Sequence, residues 1–265
     1  MSNGLFYILL GIIQGFTEPL PISSSGHVAI FSQLFGMSAD GIAFEAFINF
    51  GSTIAIIIYF WSDIERLFFG GVDYLKSGLK ENTEESNYLW KIFWATIPMV
   101  IVTVIMMLLD INLGDDIRTI GFALFVTSMS LFFVSNKEGD TSIKSMTFKV
   151  AILIGVGQAI ALMPGISRSG MTMVFALALG LNRKDAFDFS FMMFIPASIG
   201  GLLYSLLEIF TGGDFSIFYI VSAFFAFIFT VFGLKITRKF VMASKLHYFA
   251  IYCLVVSLAI IFITA

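Results

Sequence analysis

Three ionisable side chains, Glu18, His27 and Arg168, stand in stretches otherwise built from apolar, glycine, proline and hydroxyl residues. A charge at bilayer depth costs at least about 2.5–3.5 kcal/mol, so each such group calls for a partner or a wet cavity. For Arg168 two uses follow: a structural ion pair with Glu18, or a grip on an anionic ligand, since a guanidinium holds phosphate through two parallel hydrogen bonds. Its neighbours suit the second use. Ser167-Arg168-Ser169-Gly170 opens one apolar stretch and Ser23-Ser24-Ser25-Gly26 opens another. Helix starts present unpaired N–H groups and a partial positive charge, which favour phosphate. Serines there are also ordinary N-caps, a role open to Ser23 and Ser169 in particular. Thr172, one turn on from Arg168, adds a hydroxyl. Gln14 and Glu18, four apart, share a helix face. A carboxylate beside a phosphate can act as a base or hold a divalent cation such as Mg²⁺ or Ca²⁺, and both uses of Glu18 stay open. His27 lies three residues beyond Ser24, where an imidazole can act as acid or nucleophile; His247 falls near a basic loop and reads as structural. Glu45 and Asn49 share a face that could line the same cavity.

The elements that must carry these residues are helices within a membrane. Of 265 residues 58% are hydrophobic and 12% charged, with a mean hydropathy of +0.95. Soluble domains carry roughly 25% charged residues, so the chain cannot coat a water-facing surface. A net charge of −3, dispersed along the chain, gives no footprint for nucleic acid. Runs of the roughly 20 apolar residues a crossing needs occur at about 43–61, 91–109, 117–135, 187–207, 215–234 and 246–265. Four shorter ones, at about 4–18, 24–36, 148–163 and 168–181, form two pairs. One pair is interrupted by Pro19-Leu20-Pro21-Ile22-Ser23-Ser24-Ser25-Gly26, the other by Pro164-Gly165-Ile166-Ser167-Arg168-Ser169-Gly170. Proline breaks a helix, so each pair predicts two short helices with a bend between them. Of the fifteen lysines and arginines, thirteen fall in alternate connections: 62–91, 136–149, 183–184 and 235–245. Arg118 alone lies in the others. By the positive-inside bias both termini face outside, the first hairpin entering from outside and the second from the cytoplasm.

The two bends repeat each other. At an offset of 144, Gly11, Gln14, Ile22, Ser23, Ser25, Gly26, Phe31 and Gly36 match Gly155, Gln158, Ile166, Ser167, Ser169, Gly170, Phe175 and Gly180. Phe47/Phe191 and Phe50/Phe194 continue the register. Each half, about 4–135 and 148–265, holds one hairpin plus three crossings, an odd number, so the second half is expected upside down. The expected fold is thus all-α and polytopic, one integral membrane domain with inverted repeats and the site where the two bends meet. The register sets Ser24 against Arg168 and Glu18 against Leu162, so each half supplies what the other lacks.

The stretches Gln14–His27 and Pro164–Thr172 are similar to the two long motifs of the undecaprenyl-diphosphate phosphatase family, integral membrane phosphatases of the bacitracin-resistance type, and spacing agrees along essentially the whole chain. The resemblance implies a bacterial cell-membrane enzyme that hydrolyses undecaprenyl diphosphate to undecaprenyl phosphate and inorganic phosphate, recycling the carrier for cell-wall polymers and conferring bacitracin resistance. Glu18, His27, Arg168 and Ser24 would then be catalytic, and Gln14, Ser23, Ser25, Ser167, Ser169 and Thr172 would bind substrate. The nucleophile stays open among water, Ser24 and His27. Two departures stand out: Gln14 occupies a place where relatives carry a second carboxylate, and Pro19 one where a bulky apolar residue is expected. Beyond the polyprenyl substrate and membrane lipids, a second copy of the chain is a conceivable partner. The rival function is a transporter or polyprenyl-phosphate flippase, since broken helices also serve transport.

Overall fold

Backbone groups in hydrocarbon must be satisfied within their own segment, which drives apolar runs into helices. A computed structural model describes residues 3–36, 41–80, 83–111, 116–210 and 216–264. Among them are the helices α1 (Asn3–Thr17), α2 (Ser24–Leu34), α3 (Gly41–Tyr59), α4 (Trp61–Lys76), α5 (Glu84–Leu108), α6 (Ile117–Val134), α7 (Phe148–Ile160), α8 (Arg168–Ala178), α9 (Arg183–Phe210), α10 (Ile217–Met242) and α11 (Leu246–Thr264). The four short runs are α1, α2, α7 and α8, and both interruptions fall where proline and glycine placed them. Helices α5, α6, α9, α10 and α11 are long and apolar enough to cross a membrane. The sixth expected crossing, α3, meets that test only together with α4, from which it bends by 79°.

Helix α4 departs from expectation. Segment 62–91 reads as a charged connection, yet most of it is helical. Asp63, Glu65, Arg66, Asp73 and Lys76 share α4 with the exposed Trp61, Phe68, Phe69 and Leu75. Charged and apolar residues thus fall largely on different sides of α4, the pattern of an amphipathic helix.

Packing relies on small residues, as it must where lipid offers no hydrophobic drive for helix association. A Cβ on Gly11 would stand 2.3 Å from the Ser222 carbonyl oxygen, and one on Gly15 2.2 Å from that of Ala226. These glycines seat α1 against α10, where Ser222 Oγ donates to the Tyr7 carbonyl at 2.7 Å and Thr230 Oγ1 to that of Gly15 at 3.0 Å. Gly155, the repeat counterpart of Gly11, does the same for α7 on α5: its Cβ would lie 2.0 Å from the Ala95 carbonyl oxygen. Helices α6 and α11 clasp each other through Ser257 Oγ on the Gly121 carbonyl and Ser128 Oγ on that of Ala250, both 2.7 Å.

The hairpins meet tip to tip in a reciprocal contact. A Cβ on Gly26 would lie 3.1 Å from Gly165 Cα, and one on Gly170 3.3 Å from Pro21 Cβ. Positions 26 and 170 are register partners, as are 21 and 165, so this is one contact exchanged between the two bends. The basic connections gather at one end of the bundle. Lys144 pairs with Glu84, Lys91 Nζ donates to the Ile143 carbonyl at 2.7 Å, and Arg183 reaches the Lys137 carbonyl at 2.8 Å. Arg238 donates to the Tyr59 hydroxyl at 3.1 Å. Arg118 instead bonds the Thr264 carbonyl, beside the chain's last residues. Helix α1 starts against the start of α10, with Gly4 beside Phe218, away from the basic end. Helix α7 starts at the basic end, directly after the 136–147 connection.

Candidate active site

The first bend begins as α1 runs out. Glu18 N–H still bonds the Gln14 carbonyl at 2.8 Å, prolonging the helical turn to Pro19. Pro19 and Pro21 then prevent its continuation. Gly233 on α10 makes room for Pro19, since a Cβ there would lie 2.5 Å from its ring. At Ser23 the backbone turns through φ 69°, ψ 95° before α2 begins. A non-glycine residue in this region costs on the order of 1–3 kcal/mol and persists only where its surroundings over-determine it. Here they do. Ser23 Oγ accepts from Gly26 N–H at 3.2 Å, and the Ser23 carbonyl accepts from the His27 N–H at 3.2 Å and from His27 Nδ1 at 2.7 Å.

The second bend is braced by α6. Gly165 has φ +91°, and a Cβ on it would lie 2.8 Å from the Ile120 carbonyl oxygen, so the position needs glycine for both conformation and space. Thr127 Oγ1 accepts from Ser167 N–H at 3.2 Å and donates to the Gly165 carbonyl at 3.3 Å. Ser167 Oγ caps α8 by accepting from Gly170 N–H at 3.1 Å.

Between the bends lies a cavity of about 180 Å³. Its polar lining comes from Gln14, Glu18, Ser24, Ser25, Glu45, Asn49, Ser167 and Arg168, with Leu162, Pro164, Ile166, Val28 and Ile48 among the apolar remainder. Glu18 is buried, and one of its carboxylate oxygens, Oε2, accepts both Gln14 Nε2 at 2.7 Å and the Ser24 hydroxyl. Gln14 Nε2 also donates to Asn49 Oδ1 at 2.6 Å. A hydroxyl held by a carboxylate is the arrangement that activates a nucleophile. Arg168 forms no ion pair with a carboxylate among the described residues; its guanidinium lies 4.9 Å from the centroid of the Phe194 ring. The structural ion pair between Arg168 and Glu18 is therefore absent, and the cation opens on the cavity. The first-turn N–H groups of α8, and those of α2 on the other side, flank the same space.

The candidates divide. Gln14, Glu18, Ser24, Ser25, Ser167 and Arg168 line the cavity. Ser23 is buried beneath it as the cap of α2. Ser169 Oγ lies 3.4 Å from the carbonyls of Glu18 and Leu20, tying one bend to the other. Thr172 Oγ1 turns back to the Arg168 carbonyl at 2.9 Å and to Ser190. His27 is not part of the lining: its ring stacks on Tyr252 of α11, with centroids 5.6 Å apart, and Nε2 lies 2.7 Å from the Tyr252 hydroxyl. Glu45 and Asn49 do reach the cavity, as their shared face allowed. Two contributors carried no signal of their own in the sequence, Thr127 under the second bend and Tyr252, and the repeat register marked Phe194 without showing that it lies under the guanidinium.

Donors for a metal are limited. Among the described residues no three His, Cys, Asp or Glu side chains converge. The cavity's oxygen set of Glu18, Glu45 and Asn49 is of the hard type that Mg²⁺ and Ca²⁺ take.

Comparison with known proteins converges on one group. The model of the family described as bacitracin resistance protein BacA matches residues 7–259. The chain is 36% identical over 262 residues to undecaprenyl-diphosphatase 1 of Bacillus licheniformis, spanning 96% of either chain. It is 34% identical to undecaprenyl-diphosphatase 2 of Bacillus thuringiensis, over 98% of this chain and 97% of the other. To the undecaprenyl-diphosphatase of Oceanobacillus iheyensis it is 36% identical, over 96% and 94%.

Proposed function

The chain belongs to the bacitracin resistance protein BacA family, and on that premise we propose that the cavity between the bends is where its substrate loses a phosphate. The protein is a multi-pass membrane enzyme that hydrolyses undecaprenyl diphosphate to undecaprenyl phosphate and inorganic phosphate, and so confers bacitracin resistance. One observation carries the assignment of the site: the Ser24 hydroxyl bonded to Glu18, in the same cavity as an arginine that pairs with no carboxylate among the described residues.

In this reading the diphosphate enters the cavity while the polyprenyl tail stays among lipid chains. Arg168 and the first N–H groups of α8 hold the terminal phosphate and stabilise the charge on its oxygens as it transfers. Ser24 Oγ attacks the terminal phosphorus while Glu18 takes the hydroxyl proton. The bond from that phosphorus to the bridging oxygen breaks, and undecaprenyl phosphate departs with the proton from Glu18. Water then attacks the phosphoserine phosphorus while Glu18 accepts its proton; the bond from Ser24 Oγ to phosphorus breaks, Ser24 Oγ takes that proton back from Glu18, and inorganic phosphate leaves. Gln14 and Asn49 hold the carboxylate in place. A divalent cation, Mg²⁺ or Ca²⁺, would be held by Glu18, Glu45 and Asn49 and would neutralise phosphate charge. The halves are read as inverted repeats within one membrane domain, with both termini outside and the basic connections in the cytoplasm. A transport reading of the same broken helices leaves the Ser24–Glu18 bond without a purpose.

The experiment is phosphate release from undecaprenyl diphosphate by the purified, detergent-solubilised chain. Glu18→Gln and Arg168→Met are each expected to lower kcat by at least about a hundredfold, with unchanged membrane insertion. Release near the wild-type rate in either variant would remove the cavity from the reaction.

A further inference from the structure

His27 and Tyr252 form a contact that the chemistry above does not use. The His27 ring is buried, and both its nitrogens are engaged away from the cavity. A carbonyl can only accept, so Nδ1 carries the proton shared with the Ser23 oxygen. In the neutral ring Nε2 then offers only a lone pair, and the Tyr252 hydroxyl donates to it. The near-parallel stacking of the two rings, 12° between planes, holds the imidazole flat against α11. The chain of contacts ends at Ser23, the residue with the left-handed backbone, and the next residue is Ser24. The direction of the Ser23 carbonyl therefore governs where the Ser24 hydroxyl stands relative to Glu18.

We propose that Tyr252 is a positioning residue for the reaction: its hydroxyl fixes the tautomer and seat of His27, which in turn pins the Ser23 carbonyl and presents Ser24 to Glu18. This inference rests on the assignment of the cavity made above. His27 then acts through the Ser23 backbone and takes no part in proton transfer to substrate.

The roles separate by the isostere that each tolerates. An asparagine at 27 keeps an N–H donor near the position of Nδ1 but titrates nowhere near neutrality. His27→Asn is therefore expected to retain kcat within about tenfold, whereas His27→Ala loses about a hundredfold or more. Tyr252→Phe keeps the stacked ring and loses only the hydroxyl, and is expected to lower kcat about tenfold with KM within about twofold. Added to His27→Ala, it is expected to cause no further loss, because the pair acts as a unit. Thermal unfolding of each purified variant reports folding; should Tyr252→Phe lose its transition, the His27→Asn comparison decides. The inference is overturned if His27→Asn is as inactive as His27→Ala, if Tyr252→Phe turns over like wild type, or if its loss is undiminished in the His27→Ala background. Glu18→Gln, assayed alongside, distinguishes the two levels. Activity surviving Glu18→Gln would overturn the cavity assignment and this inference with it. An inactive Glu18→Gln together with a wild-type Tyr252→Phe would overturn this inference alone.

Discussion

Arg168 lies on the face of Phe194 and opens on a polar cavity. A ring face attracts a cation but leaves its N–H groups available, and a guanidinium offers them as a planar fork that an ammonium lacks. Arg168→Lys should therefore keep the charge and lose the two-point grip. Turnover measured in detergent is expected to fall on the order of a hundredfold, with insertion and expression unchanged. At this scale the sequence was partly legible. Residue type and the Pro/Gly/Ser setting drew Glu18, Ser24 and Arg168 to one place. They could not reveal which way His27 points, because a position three residues along the helix allows either the cavity or the flank. The choice was made by the Ser23 carbonyl and by Tyr252, 225 residues away. Thr172 likewise shares α8 with Arg168, but its hydroxyl satisfies itself on the preceding turn, as threonines in helices often do.

Helices position these groups through contacts too close for a side chain. Gly11 and Gly155 stand out because the repeat preserves them and each lets its hairpin touch the backbone of a crossing helix. Gly155→Leu is expected to push α7 off α5 and lower the melting temperature of the purified protein, with a cost of at least about 1–3 kcal/mol. Gly200→Ala, at a position open to space within 4 Å of its would-be Cβ, should change melting by no more than a small amount. Hydropathy located five of the six expected crossings, the sixth qualifying only as the bent pair of α3 and α4, and proline located the bends, since both signals are local. Helix α4 escaped because its charges read as a loop when counted, and only their placement around a helix shows one wet face and one apolar face.

Across the whole molecule, charge is sorted by end. The connections bearing most of the lysines and arginines touch one another through Lys144–Glu84, Lys91–Ile143, Arg183–Lys137 and Arg238–Tyr59. Arg118 meets the chain's last residues elsewhere. By the positive-inside bias the clustered end is expected to face the cytoplasm, the orientation proposed above. A cysteine placed at Lys137 should react with a membrane-impermeant thiol reagent only after the cells are opened. One placed at Arg118 should react in intact cells; the opposite pattern would reverse the orientation. This sorting was readable from the sequence because charge counts per connection need no three-dimensional information. The meeting of the two bends was readable only as a register, and the reciprocal Gly26–Gly165 and Gly170–Pro21 contacts give that register a physical form.

The account rests on the Ser24 hydroxyl as the group that Glu18 activates and that meets phosphorus. Its most direct test is kcat for phosphate release from undecaprenyl diphosphate by purified Ser24→Ala, with melting temperature as the control for folding. Loss of the nucleophile should lower kcat by about a thousandfold or more while the variant melts as wild type does. A folded Ser24→Ala that turns over within about tenfold of wild type would contradict it.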